Sequence, residues 1–249
     1  KRVLSPSIKA TTSFEILKST DVLFIAIPTT KISYVLPNIA GYVEEECLIV
    51  NMAKGLLPNG KTIVELIKSE LNHNNTITMK GASFSAEMIN RVPTLFTIGF
   101  EKRKQLDIII ELTKGSNIFL DYTSDIRGVE LLSALKNIYA IALGNMDAQF
   151  NALNTRFLLL TKAVEEIKII MRAMGGRDET ILLSCGIGDI ALTGLSDLSR
   201  SRTLGLLIGK GFYNESLAGN SVVIEGANTL RLLDADLSDN VRRKLPLFT

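Results

Sequence analysis

The alternation of apolar and polar residues changes character about halfway along the chain. Up to residue 120, short apolar runs alternate with amphipathic stretches, the signature of parallel βα units. Val22–Ile27 and Cys47–Met52 are almost continuously apolar, as strands covered on both faces require. Thr76–Met79, Thr94–Phe100 and Asn117–Leu120 predict further strands, and Ile8–Thr11 a weaker one. Between them the spacing predicts a short helix opened by the capping-box pattern Thr12-Ser13-Phe14-Glu15. A partly helical Lys31–Val43 interrupted by Pro37, an amphipathic Thr62–Leu71 and a helix at Lys102–Thr113 follow. His73 falls in a polar turn and is expected to be exposed.

From Val129 to about Leu237 the pattern is helical throughout: Asn154–Met174 closing at Gly175-Gly176, Glu179–Cys185, Arg200–Ile208 and Ala227–Leu233. The change falls near Ser124–Gly128. The expected organisation is an α/β domain over residues 1–125 and an all-helical domain over 126–249. Val129–Ala148 is apolar on nearly every side of a helical wheel, so it belongs in the middle of the molecule. Into it the sequence places Lys136 and Asn137. A buried ammonium must find an anion, lose its proton or sit in a wet cleft. Lys136 is therefore either a lysine snorkelling from a core helix or a group for proton chemistry.

Ligands of open α/β sheets bind beyond the carboxyl ends of the strands. That points to the loops after Ile27 and Met52, the second carrying Lys54, which otherwise reads as a solvated loop lysine. Lys80-Gly81-Ala82-Ser83-Phe84-Ser85-Ala86-Glu87 reads as a strand-to-helix turn whose amides suit an anion or oxygen ligand, or as an ordinary N-cap by Ser83. In Gly186-Ile187-Gly188-Asp189-Ile190-Ala191-Leu192-Thr193, Asp189 and Thr193 lie one helical turn apart on one face. Ser199-Arg200-Ser201-Arg202 alternates hydroxyls with guanidiniums at a predicted helix start, a combination suited to phosphate or carboxylate.

Composition narrows the partners. The 249 residues carry 28 Lys and Arg against 26 Asp and Glu, with no dense basic block, so nothing points to nucleic acid or an anionic membrane. The two cysteines, Cys47 and Cys185, with the single His73, form neither a disulfide framework nor a metal-ligand cluster. No apolar run approaches membrane-spanning length, and a cytoplasmic protein is the default expectation.

Taken in order, these motifs resemble the NAD(P)-dependent glycerol-3-phosphate dehydrogenases, within the 6-phosphogluconate-dehydrogenase-like group of two-domain enzymes. Ile25-Ala26-Ile27-Pro28-Thr29 resembles that family's A-V-P-S, Ala53-Lys54-Gly55-Leu56 its T-K-G-L, and the segment from Lys80 to Glu87 its S-G-P-T-F-A-K-E. G-V-E-L-L-S-A-L-K-N around Lys136, G-I-G-D-I-A-L-T followed by S-R-S-R, and Ile224-Glu225-Gly226 complete the series. The resemblance implies a partial Rossmann-type parallel sheet followed by a helical substrate domain, and hydride exchange between sn-glycerol 3-phosphate and dihydroxyacetone phosphate with NAD or NADP. By it, Lys136 is the general acid/base, with Asp189, Lys54 and Thr193 as its catalytic neighbours. Lys54, Gly81, Ser83, Asp189, Ser199, Arg200 and Ser201 would line the substrate site, and Lys54, Ser85, Arg200, Val223 and Glu225 would meet the dinucleotide.

The chain departs from that pattern in places. The family's opening strand, Gly-rich turn and helix are expected to lie before residue 1, which makes weak dinucleotide binding the expectation for these residues alone. Ala82 stands for a proline, Lys80 for a serine and Ser201 for an asparagine, and Met146–Phe150 replaces a glycine-rich turn. Two rivals follow: a relative acting on another small hydroxy acid or phosphorylated alcohol, and a non-catalytic paralogue serving as a binding or assembly module. The implied partner is a small phosphorylated substrate. The choice between NAD and NADP stays open, and a homodimer is only the commonest oligomer.

Overall fold

The computed structural model describes residues 5–212 and 225–249. Five strands form one sheet in the order β1 (Val22–Ile25), β2 (Leu48–Asn51), β3 (Thr76–Lys80), β4 (Thr94–Gly99) and β5 (Ile118–Thr123). β1, β2 and β3 run parallel, β4 is antiparallel to β3, and β5 is parallel to β4. The sheet is thus mixed rather than wholly parallel, and the reason is the connection after β3. α3 (Ser85–Ile89) has five residues, a length of roughly 7–8 Å that cannot carry the chain back along the sheet. β4 therefore starts at the end where β3 finishes. The other connections are longer helices: α1 (Thr29–Ile39), α2 (Ile63–Leu71) and α4 (Arg103–Thr113).

The apolar strands are covered on both faces. Ile49 joins Ile32, Leu36, Ile63 and Ile67 on one side, whereas its neighbours Leu48 and Val50 join Ile77, Phe96, Ile98 and Leu106 on the other. Alternate residues of one strand thus serve two cores, which is why the run reads as continuous.

Several local expectations change in the folded chain. Ile8–Thr11 forms no strand, and the helix after it is a 3-10 turn, Phe14–Ser19, capped by Ser13 rather than by a capping box from Thr12. The capping box belongs instead to α2, between Thr62 and Glu65. His73 is buried, with Nε2 donating to the Cys47 carbonyl at 2.7 Å. A polar turn pattern does not reveal that its histidine has a backbone partner underneath. Glu179–Cys185 is no regular helix but a 3-10 turn at Asp178–Leu182 and a π-helical turn at Ser184–Gly188. Strand side chains divert its amides: Ser184 N–H donates to Asp121 and Cys185 N–H to Thr97.

From Ile126 onward the described chain is helical: α5 (Ile126–Phe150), α6 (Leu153–Ala173), α7 (Asp189–Leu195), α8 (Arg200–Gly209), α9 (Glu225–Asp236) and the short α10 (Asp239–Arg242). α5 is the axis. Every residue from Gly128 to Ala140 is buried, and Leu131, Leu132, Leu135, Ile138 and Leu143 anchor the largest core. Each such side chain contributes about 1.5–3 kcal/mol on burial. α8 crosses α5 with its backbone in close contact. A Cβ on Gly144 would lie 2.0 Å from the Arg202 carbonyl oxygen, and one on Gly205 2.0 Å from that of Ile141. Those glycines bring the start of α8 beside Asn137. Among the described residues no helix is long and apolar enough to cross a membrane.

Candidate active site

β2 and β3 end beside α5, where Asn51 and Lys80 both meet its buried Glu130. Lys136 Nζ donates to Asp189 Oδ1 at 2.5 Å and to Thr193 Oγ1 at 3.0 Å. Thr193 in turn donates to the same carboxylate oxygen at 3.2 Å. Lys54 Nζ reaches the other oxygen, Asp189 Oδ2, at 3.0 Å, and also the Gly81 carbonyl at 3.3 Å. One carboxylate therefore stands between two ammonium groups. An ammonium has three N–H donors, and the two acceptors around Lys136 among the described residues leave one over. Lys136 is 6% exposed and Asp189 1%.

This arrangement resolves a balance that the sequence leaves open. Burial is the largest influence on Lys136 and the neighbouring Lys54 charge adds to it; together they outweigh Asp189 and lower the amine to about 7. The group is poised to change protonation near neutrality. Asp189 owes its place to the π-helical turn before α7. Ser184 Oγ of that turn donates to the Leu95 carbonyl at 2.7 Å, and Ala82 N–H donates to Ser184 Oγ at 3.4 Å.

The remaining candidates divide. Gly81 lies in the cluster through its carbonyl, and a Cβ there would sit 2.6 Å from the Leu95 carbonyl oxygen. Ser83 does not cap α3, whose N-cap is Phe84; its hydroxyl donates to the Gly81 carbonyl at 3.4 Å. Ser199 caps α8, accepting from Arg202 N–H at 3.2 Å. Ser201 Oγ hydrogen-bonds Asn137 Oδ1 at 3.3 Å, next to Lys136. Arg200 is exposed at the opening of α8. Its neighbour Arg202, equally suited to phosphate by sequence, is buried and spent on Asp147 and Asp197. Ser85 is exposed at the first position of α3, and among the described residues nothing links it to the lysine cluster. Val223 lies outside the described residues.

Glu225 opens α9 facing Arg200, Lys54 and Lys136; burial raises its carboxyl above the usual range despite those cations. It borders a shallow surface cleft whose walls include Thr29 and Thr30 at the start of α1, Lys54 and Gly55 after β2, and Asn228. A Cβ on Gly55 would lie 2.7 Å from Thr29 Oγ1, so the backbone approaches there as only glycine allows. Hydroxyls, an amide, a carboxyl and helix-start N–H groups form a donor and acceptor set that fits the polar nicotinamide end of a dinucleotide.

Two residues of the site's floor carried no assigned role in the sequence pattern: Glu130, and Lys80, which stood there only as a departure from the family's serine. Glu130 is 1% exposed and accepts from Asn51 Nδ2, Thr78 Oγ1 and the amides of Ile63 and Val64. Lys80 Nζ pairs with it at 3.1 Å. The available signal was a second ionised residue in the all-apolar α5 segment, six positions before Lys136.

Comparison with known proteins agrees over nearly all of these residues. Residues 1–106 match the family description "NAD-dependent glycerol-3-phosphate dehydrogenase N-terminus" and residues 125–249 the corresponding C-terminus. The glycerol-3-phosphate dehydrogenase [NAD(P)+] of Clostridium botulinum is 31% identical over 92% of this chain and 70% of its own length. That of Agathobacter rectalis is 34% identical over 90% and 67%. A crystal structure of glycerol-3-phosphate dehydrogenase from Coxiella burnetii superposes with a TM-score of 0.86 at 25% identity, covering 98% of this chain and 75% of that one. A ketopantoate reductase from Ralstonia eutropha shares the fold more loosely, with a TM-score of 0.57 at 13% identity. The chain belongs to the NAD-dependent glycerol-3-phosphate dehydrogenase family.

Proposed function

We propose that this protein interconverts sn-glycerol 3-phosphate and dihydroxyacetone phosphate with NAD or NADP, using Lys136 as the general acid/base. The observation that carries the reading is Lys136 itself: a buried amine brought to about 7, held by Asp189 and Thr193 with one N–H to spare. The bound nicotinamide supplies or accepts the hydride at the substrate's central carbon. Lys136 handles the proton on the attached oxygen, giving it during reduction and taking it during oxidation. Asp189 orients the lysine through its hydrogen bond. Lys54, on the other carboxylate oxygen, keeps the proton loosely held and offers a cation to the oxygen as charge develops.

In this reading Arg200, with Ser199 and Ser201 beside it at the start of α8, takes the phosphate, and Gly81 and Ser83 border the glycerol end. Thr29, Thr30, Lys54 and Glu225 hold the nicotinamide side, Ser85 and Val223 being further candidates for the dinucleotide. Residues 1–125 then form the cofactor side of the enzyme and 126–249 the substrate side. A cytoplasmic homodimer is the form expected of it. The rival of a non-catalytic assembly module is not favoured, since the relatives matched over most of the chain are dehydrogenases.

The test is dihydroxyacetone-phosphate-dependent oxidation of NADH and NADPH by the full-length gene product, beside its Lys136→Ala variant. Turnover that disappears in the variant supports the reading. Turnover that survives removes Lys136 from the mechanism, and a folded protein inactive with both cofactors removes the assignment.

A further inference from the structure

The backbone just before Lys54, whose Nζ meets Asp189, is held from below. Lys80 is fully buried at the end of β3, and its three N–H donors have three acceptors: the Asn51 carbonyl at 3.0 Å, the Ala53 carbonyl at 2.6 Å and Glu130 Oε1 at 3.1 Å. Two of these are main-chain oxygens of the turn from β2 into Lys54. Asn51 tightens the same turn, its Oδ1 accepting from Ala53 N–H at 3.0 Å and its Nδ2 donating to Glu130 at 2.9 Å. Glu130 also binds the first amides of α2 at Ile63 and Val64. The ion pair thus ties α5, β3, the post-β2 turn and α2 into one rigid floor. Immediately after Lys80, the Gly81 carbonyl accepts from Lys54 Nζ, so the segment that anchors the turn also receives its lysine.

We infer that Lys80 is a positioning residue for the reaction: it acts through Lys54, clamping the turn at Asn51 and Ala53 so that Lys54 meets Asp189. A serine at this place, as the related family pattern has, lacks the reach to hold two carbonyls and a carboxylate at once. The clamp is therefore a feature of this chain's own sequence. The inference rests on the dehydrogenase reading for its catalytic consequence but not for its geometry.

Removing Lys80 alone would leave Glu130 charged and buried without its cation, so the informative variant is Lys80→Met with Glu130→Gln, which removes both charges together. This pair is compared in the parent and in a Lys54→Ala background, with thermal melting as the check of folding. A misplaced catalytic group costs up to about a hundredfold, so the paired change should lower kcat about tenfold or more in the parent, with a smaller change in KM for dihydroxyacetone phosphate. In the Lys54→Ala background it should cost almost nothing further, because the residue it positions is gone. Equal losses in both backgrounds, or none in the parent, overturn the inference. If the parent shows no turnover, the dehydrogenase reading fails, and the clamp is then read by the rate at which an acylating reagent modifies Lys54, located by mass spectrometry. Faster labelling of Lys54 in the paired variant than in the parent supports the clamp, and an unchanged rate sinks it.

Discussion

Two buried lysine–carboxylate pairs lie close together in this molecule, and they do opposite things. Lys80 has no exposed side chain, and its three donors are matched by two carbonyls and a carboxylate that receives four other donor groups. Lys136 is nearly as buried, shares its carboxylate with Lys54 and, among the described residues, keeps one donor unspent. Burial lowers the proton affinity of both. At Lys80 saturation of the hydrogen bonds turns the ammonium into a structural bolt. At Lys136 the competing cation and the spare N–H suit the group to the proton exchange proposed for it. A buried lysine becomes chemistry or architecture according to how completely its donors are satisfied.

The comparison breaks most visibly if the two lysines are exchanged for neutral residues. Lys136→Ala should lose about 10²–10⁴-fold in kcat, the usual contribution of a general acid/base, with the far-ultraviolet circular dichroism unchanged. Lys80→Met alone should instead lose stability, by about 3–5 kcal/mol for a buried pair broken on one side, measured by urea unfolding; adding Glu130→Gln should restore a good part of it. If Lys80→Met unfolds no more easily than the parent, the bolt is not structural.

A subtler separation comes from the substrate end. Arg200→Ala removes an exposed, charge-assisted contact worth about 1.5–3 kcal/mol, so KM for dihydroxyacetone phosphate should rise roughly tenfold to a hundredfold with kcat much less affected. An unchanged KM would move the phosphate away from α8.

The smallest effects lie in pH. With Lys136 near 7, kcat for reduction should fall as pH rises through that value, while kcat for oxidation climbs, since the first needs the ammonium and the second the amine. Profiles that move together would refute the assignment. Stability should follow the same group. Between about 7 and the 10.5 of an ordinary lysine, the unfolded chain holds the proton that the folded one has released. The parent should therefore gain stability with rising pH in that window, and Lys136→Met should lose that slope.

Much of this was legible in one dimension because it follows from local patterns. The all-round apolar α5 could only be central, and a lysine within it had to be either paired or poised. Asp189 and Thr193 meet the same ammonium because four-residue spacing puts them on one face. The motifs of the post-β2 loop and of α7 bear the family's pattern in their own residues. Where the pattern misled, the partner came from far away. His73 is buried with its Nε2 donating to the Cys47 carbonyl, and the predicted helix at Glu179–Cys185 is diverted by Asp121 and Thr97. Arg200 and Arg202 are indistinguishable by type, yet helix rotation leaves one exposed and sends the other to Asp147.

The succession of most strands and helices, the buried axis and the shared face of Asp189 and Thr193 follow from periodicity and motif, since each depends on neighbours within a turn or two. The reversal of β4, the pairing of Lys80 with Glu130 fifty residues on and the side of neutrality on which Lys136 falls were decided only in three dimensions. Those depend on which distant charges and carbonyls share a dry space, and desolvation is a property of the assembled packing that no segment carries by itself.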